Sequence, residues 1–105
     1  MGRQPRQKPA RLSEKLRQIR LSLGLSQSQM MRQLGLDTKL FASAVSGYEI
    51  GKREPPIPVL LKYARIAGVP MEVLADDDLE LPETLPVTPT YEEWMMKHLR
   101  ARSHR

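Results

Sequence analysis

Cysteine is absent from the 105-residue chain, so neither a disulfide framework nor a thiolate metal site is available, which fits a reducing compartment. No window approaches the roughly 18 apolar residues that a membrane span requires. The N-terminal stretch MGRQPRQKPARLSEKL carries charge with no apolar run behind it. These absences lead to the expectation of a soluble cytoplasmic protein. Histidine occurs only as His98 and His104, with no carboxylate ligand set, so neither a metal nor a cofactor is expected. Asp76, Asp77 and Asp78 read as a solvated turn rather than a cation site. No nucleophile, base and orienter can be named, which argues against an enzyme. There is no internal repeat, low-complexity tract or credible strand.

What is present in excess is positive charge, and it is unevenly placed. The formal net charge is +5. Residues 1–53 hold 11 Lys and Arg against Glu14, Asp37 and Glu49, a net +8, whereas residues 54–105 hold 6 against 9, a net −3. The basic half is where an anion would dock.

Residues 1–10 (MGRQPRQKPA) contain two prolines and three cations with almost nothing to bury. They read as a basic arm, either an inert tail or one that follows a nucleic-acid groove. Leu12, Leu16, Ile19 and Leu23 then line one face of a first helix that stops at Gly24. A second helix has Ser26 as its N-cap and Gln27, Ser28 and Gln29 in its first turn. It turns Met30, Met31 and Leu34 inward and stops at Gly35.

The recurrence of Phe41, Val45 and Tyr48 predicts a third helix from Thr38 or Leu40 to about Ile50. Lys39, Ser43, Ser46, Gly47 and Ile50 fall on its other side, a face with few of the long charged residues usual on a solvated surface. Pro55, Pro56 and Pro58 delay a fourth helix, which packs Leu60, Leu61, Ala64 and Ala67 inward and ends at Gly68. A brief fifth helix is anchored by Val69, Val73 and Leu74. The expected organisation is thus an arm (1–10), an all-α domain (11–78) and an extension (79–105). In the extension, a Pro-interrupted connection lays Leu79 and Leu81 on the domain surface. A capping box at Thr90 and Glu93 then opens a last helix carrying Tyr91, Trp94, Met95, His98 and Leu99.

The apolar stripe of Tyr91, Trp94, Met95 and Leu99 either folds back onto its own domain or meets its twin in a dimer, where aromatics and Met are enriched. The methionines at helical spacing, Met30, Met31, Met95 and Met96, read as fillers of core or interface.

Lys52 and Arg53 stand where the third helix ends. Either they complement its dipole or they face something anionic. A helix starting at Ser26 exposes backbone N–H groups suited to a phosphate, and Gln27 is placed to add a side-chain donor. A second helix with a small outer face and then two cations follow, the order in which a major groove is read between phosphate contacts.

At these residues the chain resembles the Xre/Cro-type helix-turn-helix regulators, the lambda-repressor-like family. LRQIRLSLGLSQ is similar to the family's first helix and the entry to its second. SGYEIGKREP resembles the segment closing the recognition helix, and LLKYARIAGVPMEVL resembles the last two helices. The resemblance implies a five-helix all-α fold and sequence-specific binding of double-stranded DNA by a homodimer on an inverted repeat, in a bacterial or phage-type cytoplasm. It implies Ser26 and Gln27 at a phosphate, Ala42, Ser43 and Gly47 toward base edges, Lys52 on the DNA backbone, and a structural ion pair between Arg20 and Glu49.

This chain departs from the family pattern in three ways. Four extra residues separate Gly35 from Tyr48, so either the turn is longer or the recognition helix begins earlier. Met31 replaces the small residue usual where helices 2 and 3 cross. Ala42, Ser43 and Gly47 replace the family's base-facing Gln and Arg and form no bidentate bond to a base; Lys39, Ser46, the arm and DNA deformability are then left to supply selectivity. A transcriptional regulator, most simply a repressor, is the leading expectation. An antitoxin-like module that binds a protein partner through the last helix and DNA for autoregulation is the alternative.

Overall fold

The computed structural model describes residues 9–36 and 43–86. The described residues are all-helical, with no strand. Their five helices are α1 (Leu12–Ser22), α2 (Gln27–Gln33), α3 (Ala44–Glu49), α4 (Ile57–Ala67) and α5 (Met71–Ala75). None is long and apolar enough to cross a membrane.

α1 is the hub, packing on α3, α4 and α5, while α2 packs on α3. Its 4-then-3 spacing puts Leu12, Leu16 and Ile19 in the core, where they meet Met30, Met31, Leu34, Val45, Tyr48, Leu60, Tyr63, Ala64, Ala67 and Leu74. Leu16 and Ile19 are wholly buried, so truncating either to Ala costs about 2–5 kcal/mol. α4 turns Tyr63 inward and leaves Leu61 only half-buried, contrary to the expected Leu60–Leu61 pair. The inward stripe is Leu60, Tyr63, Ala64 and Ala67, a 3-1-3 spacing that follows the helical period and leaves Leu61 at its edge.

The third helix is shorter than its periodicity suggests. Ser43 has φ −111° and ψ 12°, outside helical values, and flanks α3 as its N-cap. α3 thus begins at Ala44, later than the Thr38 or Leu40 start that the periodicity suggests. Residues 37–42, and with them Lys39, Phe41 and Ala42, lie outside the described residues. So do residues 1–8 of the 1–10 arm and residues 87–105, which include Tyr91, Trp94, Met95, Met96 and Leu99.

The acidic turn after α5 is more than a solvated loop. Asp77 accepts the N–H groups of Ala10 at 2.8 Å and Arg11 at 3.0 Å, while Arg11 Nη1 donates to the Asp77 carbonyl at 3.0 Å. α1 has no side-chain cap from its own N-cap residue. A carboxylate 66 residues away along the chain satisfies its entry instead. The two backbone donors hold the Asp77 carboxyl below the usual carboxylate range.

Lys15 closes the same junction from inside. It is 2% exposed, and its Nζ donates to the carbonyls of Val73 at 2.8 Å and Asp76 at 2.9 Å, at the C-terminal end of α5. Past α5, Arg11 pairs with Glu80 at 3.2 Å, and Leu81 and Leu85 pack against the core.

Candidate nucleic-acid interface

The site is built where α1, α2 and α3 converge on one ion pair. Arg20 Nε donates to Glu49 Oε2 at 2.6 Å and Nη2 donates to Oε1 at 3.0 Å, a fork-to-fork contact. Its remaining nitrogen, Nη1, donates to the Leu25 carbonyl at 2.9 Å, in the turn between α1 and α2. The side chains are 12% and 2% exposed. Hydrogen bonding to Glu49, opposed by burial, raises the Arg20 pKa above its ordinary value.

Gln27 also reaches this pair, its amide Nε2 donating to Glu49 Oε1 at 3.3 Å. The pair therefore fixes the start of α2 against the end of α3. At that start the Ser26 hydroxyl accepts from the Gln29 N–H at 3.1 Å, and the Gln29 side chain accepts from the Ser26 N–H at 2.8 Å. This capping box satisfies the third-position donor and leaves the backbone N–H groups of Gln27 and Ser28, the first two of the helix, outside it.

At the other end, α3 closes on Gly51, whose φ of 77° is a left-handed value that a side chain disfavours. The reversal lets the N–H groups of both Lys52, at 2.9 Å, and Arg53, at 3.1 Å, donate to the Gly47 carbonyl. Both cations are thereby brought back against α3 instead of continuing along its axis. Together with Ser43, Ser46, Gly47 and Ile50 they line a shallow depression of about 130 Å³, well under the roughly 300–1,000 Å³ of small-molecule pockets. Such a surface suits a broad face better than an enclosed ligand.

Exposure varies sharply within this patch. Ser43 is exposed, Ser46 is half-buried and Ile50 is 70% exposed, while Gly47 is buried although it lies on the expected outer face. Its cover is the side chain of Arg53. On the far side of Arg53, a second hollow runs past Tyr48, Glu54 and Pro55 to Pro9 and Ala10, so the chain that precedes α1 enters beside this turn. Burial raises the Tyr48 hydroxyl pKa, and the positive charge of Arg53 opposes that shift. No group of three or more His, Cys, Asp and Glu suited to a metal occurs among the described residues.

Sequence reasoning passed over Lys15, Tyr63 and the contact between Arg53 and Gly47. The available signals were a lysine inside the apolar stripe of α1, an aromatic one helical turn from Leu60 and Ala67, and a mid-helix glycine six residues ahead of an arginine.

Short helices locked by one buried Arg–Glu fork, with a small-residue helix face ending in a reversed cationic turn, define a helix-turn-helix domain. A helix-turn-helix family model matches residues 16–74, more than half of the chain, and the protein belongs to that family of Xre/lambda-repressor-like DNA-binding regulators. The chain is similar to the SPbeta prophage-derived HTH-type transcriptional regulator YonR of Bacillus subtilis (strain 168), at 36% identity over 81 residues covering 69% of this chain and 71% of that protein. No solved structure matches it.

Proposed function

We propose that the protein represses transcription as a homodimer on an inverted-repeat operator, each subunit placing α3 in the major groove of one half-site. The observation that carries this reading is the patch at the end of α3, where Ser43, Ser46, Gly47 and Ile50 adjoin Lys52 and Arg53. Neither cation is paired with an acid among the described residues. Small side chains allow a helix to approach base edges, and flanking cations neutralise phosphates.

In this arrangement Ser26 and Gln27 approach one phosphate from the start of α2, and Lys52 takes another beyond α3. We assign Lys39, Ala42, Ser43, Ser46 and Gly47 to base-edge readout. Residues 11–78 form the DNA-binding unit, and the arm of residues 1–10 tracks the adjacent groove. We assign dimerisation to the stripe of Tyr91, Trp94, Met95 and Leu99 within 79–105, on its sequence pattern. Two subunits then reach half-sites about one helical turn apart. YonR carries the description of a transcriptional regulator, which supports the same reading here.

The test is selection of bound fragments from random DNA followed by footprinting, with affinity measured against salt. Palindromic footprints and a decrease of about 0.9 in the log–log salt slope for Lys52→Ala are the expected results. A folded protein that prefers no duplex over heparin would remove the reading. An asymmetric single half-site footprint would remove the dimer alone.

A further inference from the structure

The recognition face has a gap, and a residue from outside the helix fills it. One turn beyond Ser43 in α3 stands Gly47, a poor helix former in mid-helix. Despite having no side chain it is buried. A Cβ built on it would lie 3.2 Å from Cδ, 3.3 Å from Cγ and 3.5 Å from Cβ of Arg53. All three methylene carbons of the arginine therefore rest on the glycine. The stem is held there by the left-handed turn at Gly51 and by the bond from the Arg53 N–H to the Gly47 carbonyl at 3.1 Å.

The geometry points to Arg53 as the guanine-reading side chain of this protein, laid across α3 through the space that Gly47 leaves open. This assignment rests on the DNA-binding reading above and deepens it. Ser43, Ser46 and Gly47 offer no fork of donors, whereas a guanidinium presents two parallel N–H groups that match O6 and N7 of guanine in the major groove. Arg53 borders the same depression as Ser43, Ser46 and Ile50. It is paired with no acid among the described residues, unlike Arg20, whose guanidinium is committed to Glu49 and Leu25. The helix lacks a long reading residue at position 47, and the loop returns one to the same place. A phosphate would accept the same donors, so the experiment has to separate base from backbone.

The full chain is first used to select its preferred duplex, and each guanine pair of that site is then replaced, once by another pair and once by 7-deazaguanine, which lacks only the N7 acceptor. Wild type is expected to lose about 5- to 150-fold at one guanine per half-site on base replacement, with part of that loss reproduced by 7-deazaguanine. Arg53→Ala abolishes this discrimination, and Arg53→Lys keeps only part of it, because an ammonium can donate to O6 and N7 but is not a planar fork.

Gly47→Ala is the second variant. Alanine favours the helix, so the fold persists, while the new Cβ, 3.2 Å from Cδ and 3.3 Å from Cγ, obliges the Arg53 stem to shift by a few tenths of an ångström. Binding to unselected duplex should survive in Gly47→Ala, while the guanine preference should fall below that of wild type. Uniform weakening of all duplexes by Arg53→Ala, with the 7-deazaguanine profile intact, would make Arg53 a phosphate contact and overturn the assignment. Unaltered guanine preference in Gly47→Ala would overturn the path of the stem. A wild-type protein that selects no duplex would remove the general DNA reading, and this one with it.

Discussion

Basic residues are used in opposite ways on two sides of this small domain. Where α1 meets α2, α3 and α5, Arg20 holds Glu49 and a carbonyl, Lys15 holds two carbonyls, and Arg11 holds both Glu80 and the Asp77 carbonyl. Lys62 similarly donates to the Leu34 carbonyl, at 3.0 Å, closing the C-terminal end of α2. At the turn after α3, Lys52 and Arg53 are fixed through their backbones, and neither side chain is paired with an acid among the described residues. A net +8 over residues 1–53 therefore overstates the charge offered to DNA. Several of those charges are structural, Arg11, Lys15 and Arg20 among them.

The sharpest way to break this division is to strike the most buried pair. Arg20→Ala or Glu49→Ala strands a charge in a site where the partners are 12% and 2% exposed, and should cost about 3–5 kcal/mol in urea or thermal unfolding. In a domain of this size that is a large share of total stability. Next is Lys15→Met, which keeps the buried stem and removes two charge-assisted bonds to carbonyls. It should cost about 1.5–3 kcal/mol with the salt dependence of DNA binding unchanged. Lys52→Ala is its mirror image, altering stability by less than about 0.5 kcal/mol while flattening the salt slope. Equal salt slopes for wild type and Lys52→Ala would erase the distinction between the two sides.

The parts legible in the sequence were those set by local period and turn chemistry. Leu12, Leu16 and Ile19 announce the buried face of α1, and Gly24 and Gly35, both left-handed, mark real helix ends. Ser26 is an N-cap because a hydroxyl followed three residues later by Gln makes a capping box. The Arg20–Glu49 contact was reachable only through family resemblance, since nothing in a separation of 29 residues implies that two side chains meet. Asp77 escaped for the same reason, its partner being 66 residues away. Lys15 was hidden by a different assumption, that a lysine next to an apolar stripe points to water. The relation of Arg53 to Gly47 depends on the reversal at Gly51, and a helical wheel ends before that turn begins.

Tyr63 tests whether every buried polar group on the structural side is paired. Its hydroxyl is fully buried without a hydrogen-bond partner among the described residues, and burial, followed by the nearby Glu49 carboxylate, raises its pKa well above that of an ordinary tyrosine. Removing an unsatisfied group relieves its desolvation penalty, so Tyr63→Phe should leave stability unchanged or raise it by up to about 1 kcal/mol. A loss of more than about 1 kcal/mol on urea unfolding would mean that the hydroxyl has a partner after all.

The smallest effect belongs to the exposed edge of the same structural network, at Asp77. Its folded pKa lies below the ordinary value of 3.8, held there mainly by the N–H groups of Ala10 and Arg11. A carboxylate with a depressed folded pKa adds stability above its unfolded pKa, and that contribution is lost as pH falls from about 3.8 through the folded value. Asp77→Asn should therefore shrink the difference in stability between neutral and strongly acidic solution, with little change in DNA affinity at neutral pH. Acid titration of the two proteins by circular dichroism is the measurement. Superimposable acid limbs would show that the carboxylate does not hold the entry of α1, leaving Lys15 as the tie between α1 and the end of α5.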